Sequence, residues 1–206
     1  MIKISEMRSV HFYSSQLGQD NPSAVSRWEH YGYHIDDWKE VYRRPYLCTK
    51  STKLQTLQYQ VLNRFIPTKR YLFMRNITET STCAQCDRID TLEHFLFRCN
   101  KVRSLWRFLF DKLNERSLET VETIIFGAKN KSLAINLLII LTKQHIVHCK
   151  LALNPTVPTL QGLTHFICNQ VEIERRIASK NDKMQAFENK WAGMIEENGC
   201  FAIFSR

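Results

Sequence analysis

Three cysteines and a histidine fall within "CAQCDRIDTLEHFLFRC", the stretch from Cys83 to Cys99. Cys83 and Cys86 form a C-x2-C pair, His94 follows, and Cys99 closes the set four residues later. Thiolate sulfur and imidazole nitrogen are donors that suit Zn2+. Four of them fill a tetrahedral shell and leave no position for water, so the chemistry predicted is one structural zinc ion rather than a catalytic one. Two other chemistries use the same residue types. A thioredoxin-like dithiol needs a βαβ surround, and the flanking sequence shows none. Buried free thiols beside a satisfied histidine would explain any one of these residues, but a C-x2-C followed by H-x4-C is a metal-site pattern.

Two further groupings invite the same question. His145, His148 and Cys149 stand at i, i+3 and i+4 in "HIVHC", which makes either a second metal site or the polar edge of a buried helix. With no further ligand types close by in sequence, the polar edge is the reading adopted. Asp36 and Asp37 are adjacent carboxylates at a helix start, where capping and the helix dipole already employ them. No Ser/His/Asp set, phosphate loop or carboxylate group able to hold two catalytic metals is present, so the chain is expected to be no enzyme by itself.

The elements that must position the four ligands read as helices. "DDWKEVYRR" begins on Asp36 as N-cap and should stop at Pro45. "STKLQTLQYQVLNRFI" places Leu54, Leu57, Val61, Leu62 and Phe65 on one face, and Pro67 ends it. "DTLEHFLF" makes one short helix with Leu92, Phe95 and Leu96 turned inward. On a regular helix His94 and Cys99 would lie about 140° apart, so the helix must end near Phe97 or Arg98 for both to reach one ion. Asn100 then caps "KVRSLWRFLFDKLN", whose Val102, Leu105, Trp106, Leu109 and Leu113 share a face. A long helix over about 131–153, the linker "NPTVPT" and a helical region 159–196 complete the chain. Strand alternation is sustained nowhere. The fold class is all-α with an inserted Cys-Cys-His-Cys zinc knuckle: an N-terminal helical lead-in (1–50), a zinc-binding helical domain (51–126) and a C-terminal helical region (127–206).

Charge supplies the partner. The 206 residues carry a net charge of +9, a balance that favours acidic partners, nucleic acid first. Residues 51–112 hold eleven Lys and Arg against five acidic residues, and this third contains the cysteine cluster. Arg88, Arg98, Lys101, Arg103 and Arg107 surround the knuckle, while Arg64, Lys69, Arg70 and Arg75 come from the preceding helices. Together they are expected to bind phosphates with little sequence reading. For Tyr71, Phe73 and Phe97, core packing is favoured over stacking on a base. No apolar run approaches the length of a bilayer span and no apolar leader opens the chain, so an intracellular setting, cytoplasmic or nuclear, and no membrane partner are expected. Seven cysteines there argue for metal and free thiols over disulfides.

The run "KLQTLQYQVLNRFIPTKRYLFMRNI", then "CAQC", "DTLEHFLFRC" and Trp106, resembles the reverse-transcriptase zinc-binding domain. That domain lies C-terminal to the polymerase in the second-reading-frame protein of LINE-type non-LTR retrotransposons. "SRWEHYGYHIDDWKEVY" before it and "INLLIILTKQHIVHCK" and "FENKWAGMI" after it are similar to the family's pattern. Asp90 stands where the family more often has Glu. The resemblance implies an accessory module without catalytic residues of its own. It would hold template RNA, or nucleic acid near the active site, for a reverse transcriptase in cis or in trans, with single-stranded RNA first and DNA second. The alternative is a zinc-stapled scaffold docking on the polymerase or a host protein, with the charge serving solubility.

Overall fold

The structure, a computed structural model, describes residues 23–194. Residues 1–22 of the expected lead-in and 195–206 of the expected C-terminal region lie outside the described residues. Of the described residues, 23–36 and 37–194 fall in separate compact units.

In the first unit, α1 (Ser23–His30) ends where Gly32 takes φ +82°. There the Tyr33 N–H reaches back to Trp28 O and the Gly32 N–H to Glu29 O, a left-handed C-terminal turn that glycine adopts without strain. The turn brings the Tyr33 ring edge-on to Trp28 at 5.4 Å.

The second unit is built around α7 (Leu133–Leu151), in which every residue from Ala134 to Ile146 is buried. A helix apolar on nearly all sides has no solvent face, so it serves as the central strut. Around it pack α2 (Trp38–Cys48), α3 (Thr52–Leu62), α5 (Asn100–Lys112), α8 (Leu160–Lys180) and α9 (Met184–Trp191). Two short helices, α4 (Lys69–Phe73) and α6 (Val121–Phe126), complete the set. No strand occurs among the described residues beyond one isolated antiparallel bridge, Thr82 with Ile89, so the class is all-α.

Several boundaries differ from the sequence reading for identifiable reasons. Asp37, not Asp36, caps α2: its Oδ1 accepts the Glu40 N–H at 2.8 Å. The helix then runs through Pro45 to Cys48. Proline in a helix interior forfeits a backbone donor, but Val41, Arg44, Pro45 and Cys48 are buried, and that packing outweighs the loss. Phe65 is exposed although the heptad-like pattern placed it inward. Arg64 adopts φ +58°, and the bonds Arg64 N to Val61 O and Phe65 N to Gln60 O close a Schellman turn that ends the helical face before Phe65. Within the expected helical region 159–196, the described residues form two helices, parted where Asp182 takes φ +56° and Lys183 N bonds back to Ala178 O.

Buried polar groups lock α6 into this core. The last carbonyls of a helix lack intrahelical donors. In α6 they are met from outside: Arg44 Nη1 donates to Phe126 O at 2.8 Å and Gln58 Nε2 to Ile125 O at 2.8 Å. Asn136 of α7 holds Ala128, two residues beyond α6, at both ends, accepting from Ala128 N and donating to Ala128 O. Lys143 of α7 donates in turn to Gln58 Oε1. Each short-range orphan is thus satisfied by a side chain from a different helix, and this fixes how α2, α3 and α7 meet.

Candidate metal centre

Cys83 and Cys86 sit on a tight turn. The Asp87 N–H bonds to Cys83 O at 2.9 Å, and the Cys83 N–H returns to Arg88 O at 2.8 Å. Asp87 has φ +55°, a conformation that Asp tolerates better than most side chains. The backbone N–H of Gln85 favours the Cys83 thiolate, as a hydrogen bond to the charged form does.

His94 and Cys99 reach the same point by a different device. Residues His94–Arg98 form one turn of π-helix, closed by the Cys99 N–H on His94 O at 3.0 Å. That i+5 bond winds a single wide turn from one ligand to the other. The helical stretch does end at Arg98, as the geometry demanded, but it is the widening that makes the two side chains converge. Cys99 then stands directly before α5, one residue earlier than the Asn100 cap read from the sequence, and makes no side-chain capping bond.

The four ligand atoms all lie within 4.8 Å of one another. Cys86 Sγ is 3.2 Å from His94 Nε2 and 3.9 Å from Cys99 Sγ. Zinc bonds of about 2.3 Å to sulfur and about 2.0 Å to nitrogen, set tetrahedrally, require ligand separations of about 3.6–3.8 Å, so the donor set fits that ion in type and spacing. Burial pushes the Cys83 thiol up to about 11 and holds the His94 imidazole below its ordinary value, against the opposing field of Asp90. Neutral imidazole is the form that ligates metal. A dication offsets the cost of a buried thiolate, since a coordinating thiol is deprotonated outright.

Asp90, Gln85 and Lys150 support the site without belonging to it. Asp90 is buried and lies in sequence between Cys86 and His94. Lys150, from α7, donates to Phe95 O at 3.1 Å with its ammonium 4.3 Å from the Phe95 ring centroid. Gln85 Nε2 reaches Thr156 O at 3.2 Å, in the linker after α7. A charge at Asp90 was visible in sequence only as a departure from a family pattern. The other two contacts cross long stretches of chain and leave no local signal.

His145 and Cys149 approach to 3.8 Å, but the only group of three or more ligand-type side chains that could hold a metal among the described residues is the one at Cys83, Cys86, His94 and Cys99. His145 is buried beside Phe166, ring centroids 5.7 Å apart.

The basic residues divide into two sets. Arg64 turns inward and makes a bidentate pair with Glu93 at 2.5 and 3.2 Å, which holds the Glu93 carboxyl below its ordinary value even against burial. Arg103 and Arg107 share Glu119, at 3.4 and 4.0 Å. Lys69, Arg70, Arg75, Arg88, Arg98 and Lys101 are exposed and form no ion pair with a described residue. Of the aromatics, Phe97 is buried and Phe73 is exposed; Tyr71 is half-buried beneath the Arg75 guanidinium, which lies 3.7 Å from its ring centroid.

Residues 26–106 match the family described as zinc-binding in reverse transcriptase, and the match contains all four converging side chains. The matched stretch, less than half of the chain, is similar to an accessory zinc-binding domain associated with reverse transcriptases. No curated protein matches the chain. Among the described residues no helix is long and apolar enough to cross a membrane.

Proposed function

We propose that the protein is a non-catalytic, nucleic-acid-binding module that serves a reverse transcriptase, in cis or in trans, in the manner of the LINE-type elements it resembles. Cys83, Cys86, His94 and Cys99 hold one structural zinc ion. The ion's part is to cross-link the C-x2-C turn to the π turn, which sets the direction of the basic side chains on either side. The observation that carries this reading is the unpaired set Lys69, Arg70, Arg75, Arg88, Arg98 and Lys101 on the segments that contain or flank the ligands. Exposed cations without carboxylate partners are available to phosphates, and each phosphate neutralised releases counterions.

Single-stranded RNA is the first partner and DNA the second. A filter-binding titration at several salt concentrations tests the reading. Neutralising about three to five phosphates gives a slope of log affinity against log salt of about −2 to −3.5 for a single strand. Replacing Arg88, Arg98 and Lys101 together by Ala flattens that slope by about two and leaves bound zinc unchanged. A triple variant with the parent's affinity and slope overturns it.

A further inference from the structure

Helix α4 has no buried residue. Short helices in proteins are normally held by packing an apolar face, yet here Tyr71 and Leu72 are only half-buried and Lys69, Arg70 and Phe73 are exposed. Its described attachments are polar. Thr68 Oγ1 caps it by accepting the Tyr71 N–H at 3.2 Å, and Asp90 accepts from the backbone N–H groups of Lys69 and Arg70. The segment around it carries large apolar side chains in water: Phe65, Phe73, Met74, Ile77 and Ile89 are all 44–70% exposed. Backbone bonds tie the segments from Lys69 to Asp90 to one another: Asp90 holds the start of α4, Ile77 N bonds to Leu72 O, and Thr82 pairs with Ile89.

Between the apolar groups stand Lys69, Arg70, Arg75 and Arg88, all exposed. An apolar protein partner would select against such interleaved lysine and arginine, since charged groups, Lys above all, are depleted at interface cores. A flat, apolar object joined to a polyanion matches both features at once. The unpaired nucleobase is that object. It offers a π-face to an aromatic ring or to a guanidinium plane, while its phosphate meets the neighbouring cation. Arg75, already stacked on Tyr71, and the open ring of Phe73 are two such platforms.

We infer that α4 and the turn after it grip the bases of an unpaired strand, with Phe73, Met74 and the Arg75–Tyr71 stack as the contacting groups. The inference rests on the nucleic-acid reading above and adds that the ligand must present free base faces. A duplex hides those faces, and an abasic strand lacks them.

The test compares the zinc-loaded full chain with a Phe73→Ser, Met74→Ser variant on three probes of equal length: a single-stranded RNA, its duplex, and a strand with abasic residues at alternate positions. Both side chains are exposed, so the variant keeps its zinc and its helical circular dichroism. The parent is expected to bind the intact single strand about tenfold or more tighter than the abasic strand, and the variant to lose about tenfold on the single strand with its salt slope unchanged. Equal parental affinity for intact and abasic strands overturns the stacking inference and leaves phosphate binding standing, with the α4 surface then free to dock protein. Failure of the parent to bind any of the three at low salt overturns the nucleic-acid reading itself.

Discussion

The carboxylate of Asp90 accepts the backbone N–H of Lys69 at 3.0 Å, so a residue buried beside the metal ligands also anchors the N-terminus of α4. Its carbonyl accepts from Arg70 at 3.4 Å, and its own N–H donates to Ser81 O at 2.9 Å. Asp90 therefore joins three things: the loop before the bridge, the exposed basic helix, and the short helical stretch that leads to His94. Its other oxygen, Oδ1, is buried with no partner among the described residues, which makes the carboxylate costly to keep unless it is needed there.

Replacing Asp90 by Ala should detach α4 before it disturbs the core. The hydrogen bond lost is one to a charged acceptor, a contribution of about 1.5–3 kcal/mol. Amide exchange at Lys69 and Arg70 should accelerate by about tenfold or more, and Asp90→Asn, which keeps an acceptor, should show a smaller change. Equal exchange at these amides in parent and Ala variant removes Asp90 from this role.

One zinc ion per chain should be found by elemental analysis, and its removal should cost much of the stability of the second unit. Structural zinc contributes on the order of 10 kcal/mol of apparent binding free energy in small domains, comparable with a domain's whole stability. Cys99→Ser should be more damaging than Cys149→Ser, because Cys99 is a converging ligand at the entry to α5 and Cys149 has only His145 within reach. A melting curve unmoved by chelation contradicts the assignment.

Much of this site was legible in sequence because its signal is local. Ligand types at fixed spacing survive any error in helix boundaries, and the conflict between His94 and Cys99 on a regular helix already required irregular backbone between them. That the irregularity is a π turn follows from the packing of Phe95, Leu96 and Phe97, all buried, and nothing in "HFLFR" announces it. The basic surface was less legible. Composition shows an excess of cations, but whether each is available depends on partners distant in sequence: Arg64 is taken by Glu93 and Arg103 by Glu119. Phe65 illustrates the same limit, since periodicity assigns a face only while the helix lasts, and Phe65 follows the left-handed Arg64 that ends α3.

Gly127→Ala should be among the most destabilising single-methyl additions. Gly127 follows α6 with φ +88°. A Cβ there would stand 2.8 Å from Asn136 Oδ1 and 2.9 Å from Arg44 Nη1. Both atoms are engaged, Asn136 by the Ala128 backbone and Arg44 by Phe126 O. With ψ 164° this is a region essentially reserved for glycine, and backbone strain of about 1–3 kcal/mol adds to a clash that must break one of those bonds, for a total of about 2–4 kcal/mol in urea unfolding. A loss under about 1 kcal/mol, the range of an unremarkable surface change, would show that the network yields.

The pH dependence of stability should carry the signature of Lys143. This side chain is fully buried, and burial pushes its amine down from the ordinary value to about 7. In the unfolded chain the same amine titrates near about 10.4. Between those values the unfolded state holds a proton that the folded state has released, so stability rises as pH increases through the window. Cys48 acts in the opposite sense: burial pushes its thiol up to about 11, and it opposes folding once pH passes the ordinary thiol value of about 8.5. The clean interval is therefore about pH 7 to 8.5, where the Lys143 contribution amounts to about 1–2 kcal/mol. Lys143→Met removes it, at the expense of leaving Gln58 Oε1 without its donor, a constant offset of about 1 kcal/mol. Urea unfolding of the zinc-loaded proteins at pH 7.0 and 8.5 isolates the effect, because the ligand thiols titrate alike in both. The parent should gain stability relative to the variant across the interval, and parallel profiles would show that the buried amine keeps its charge at neutral pH.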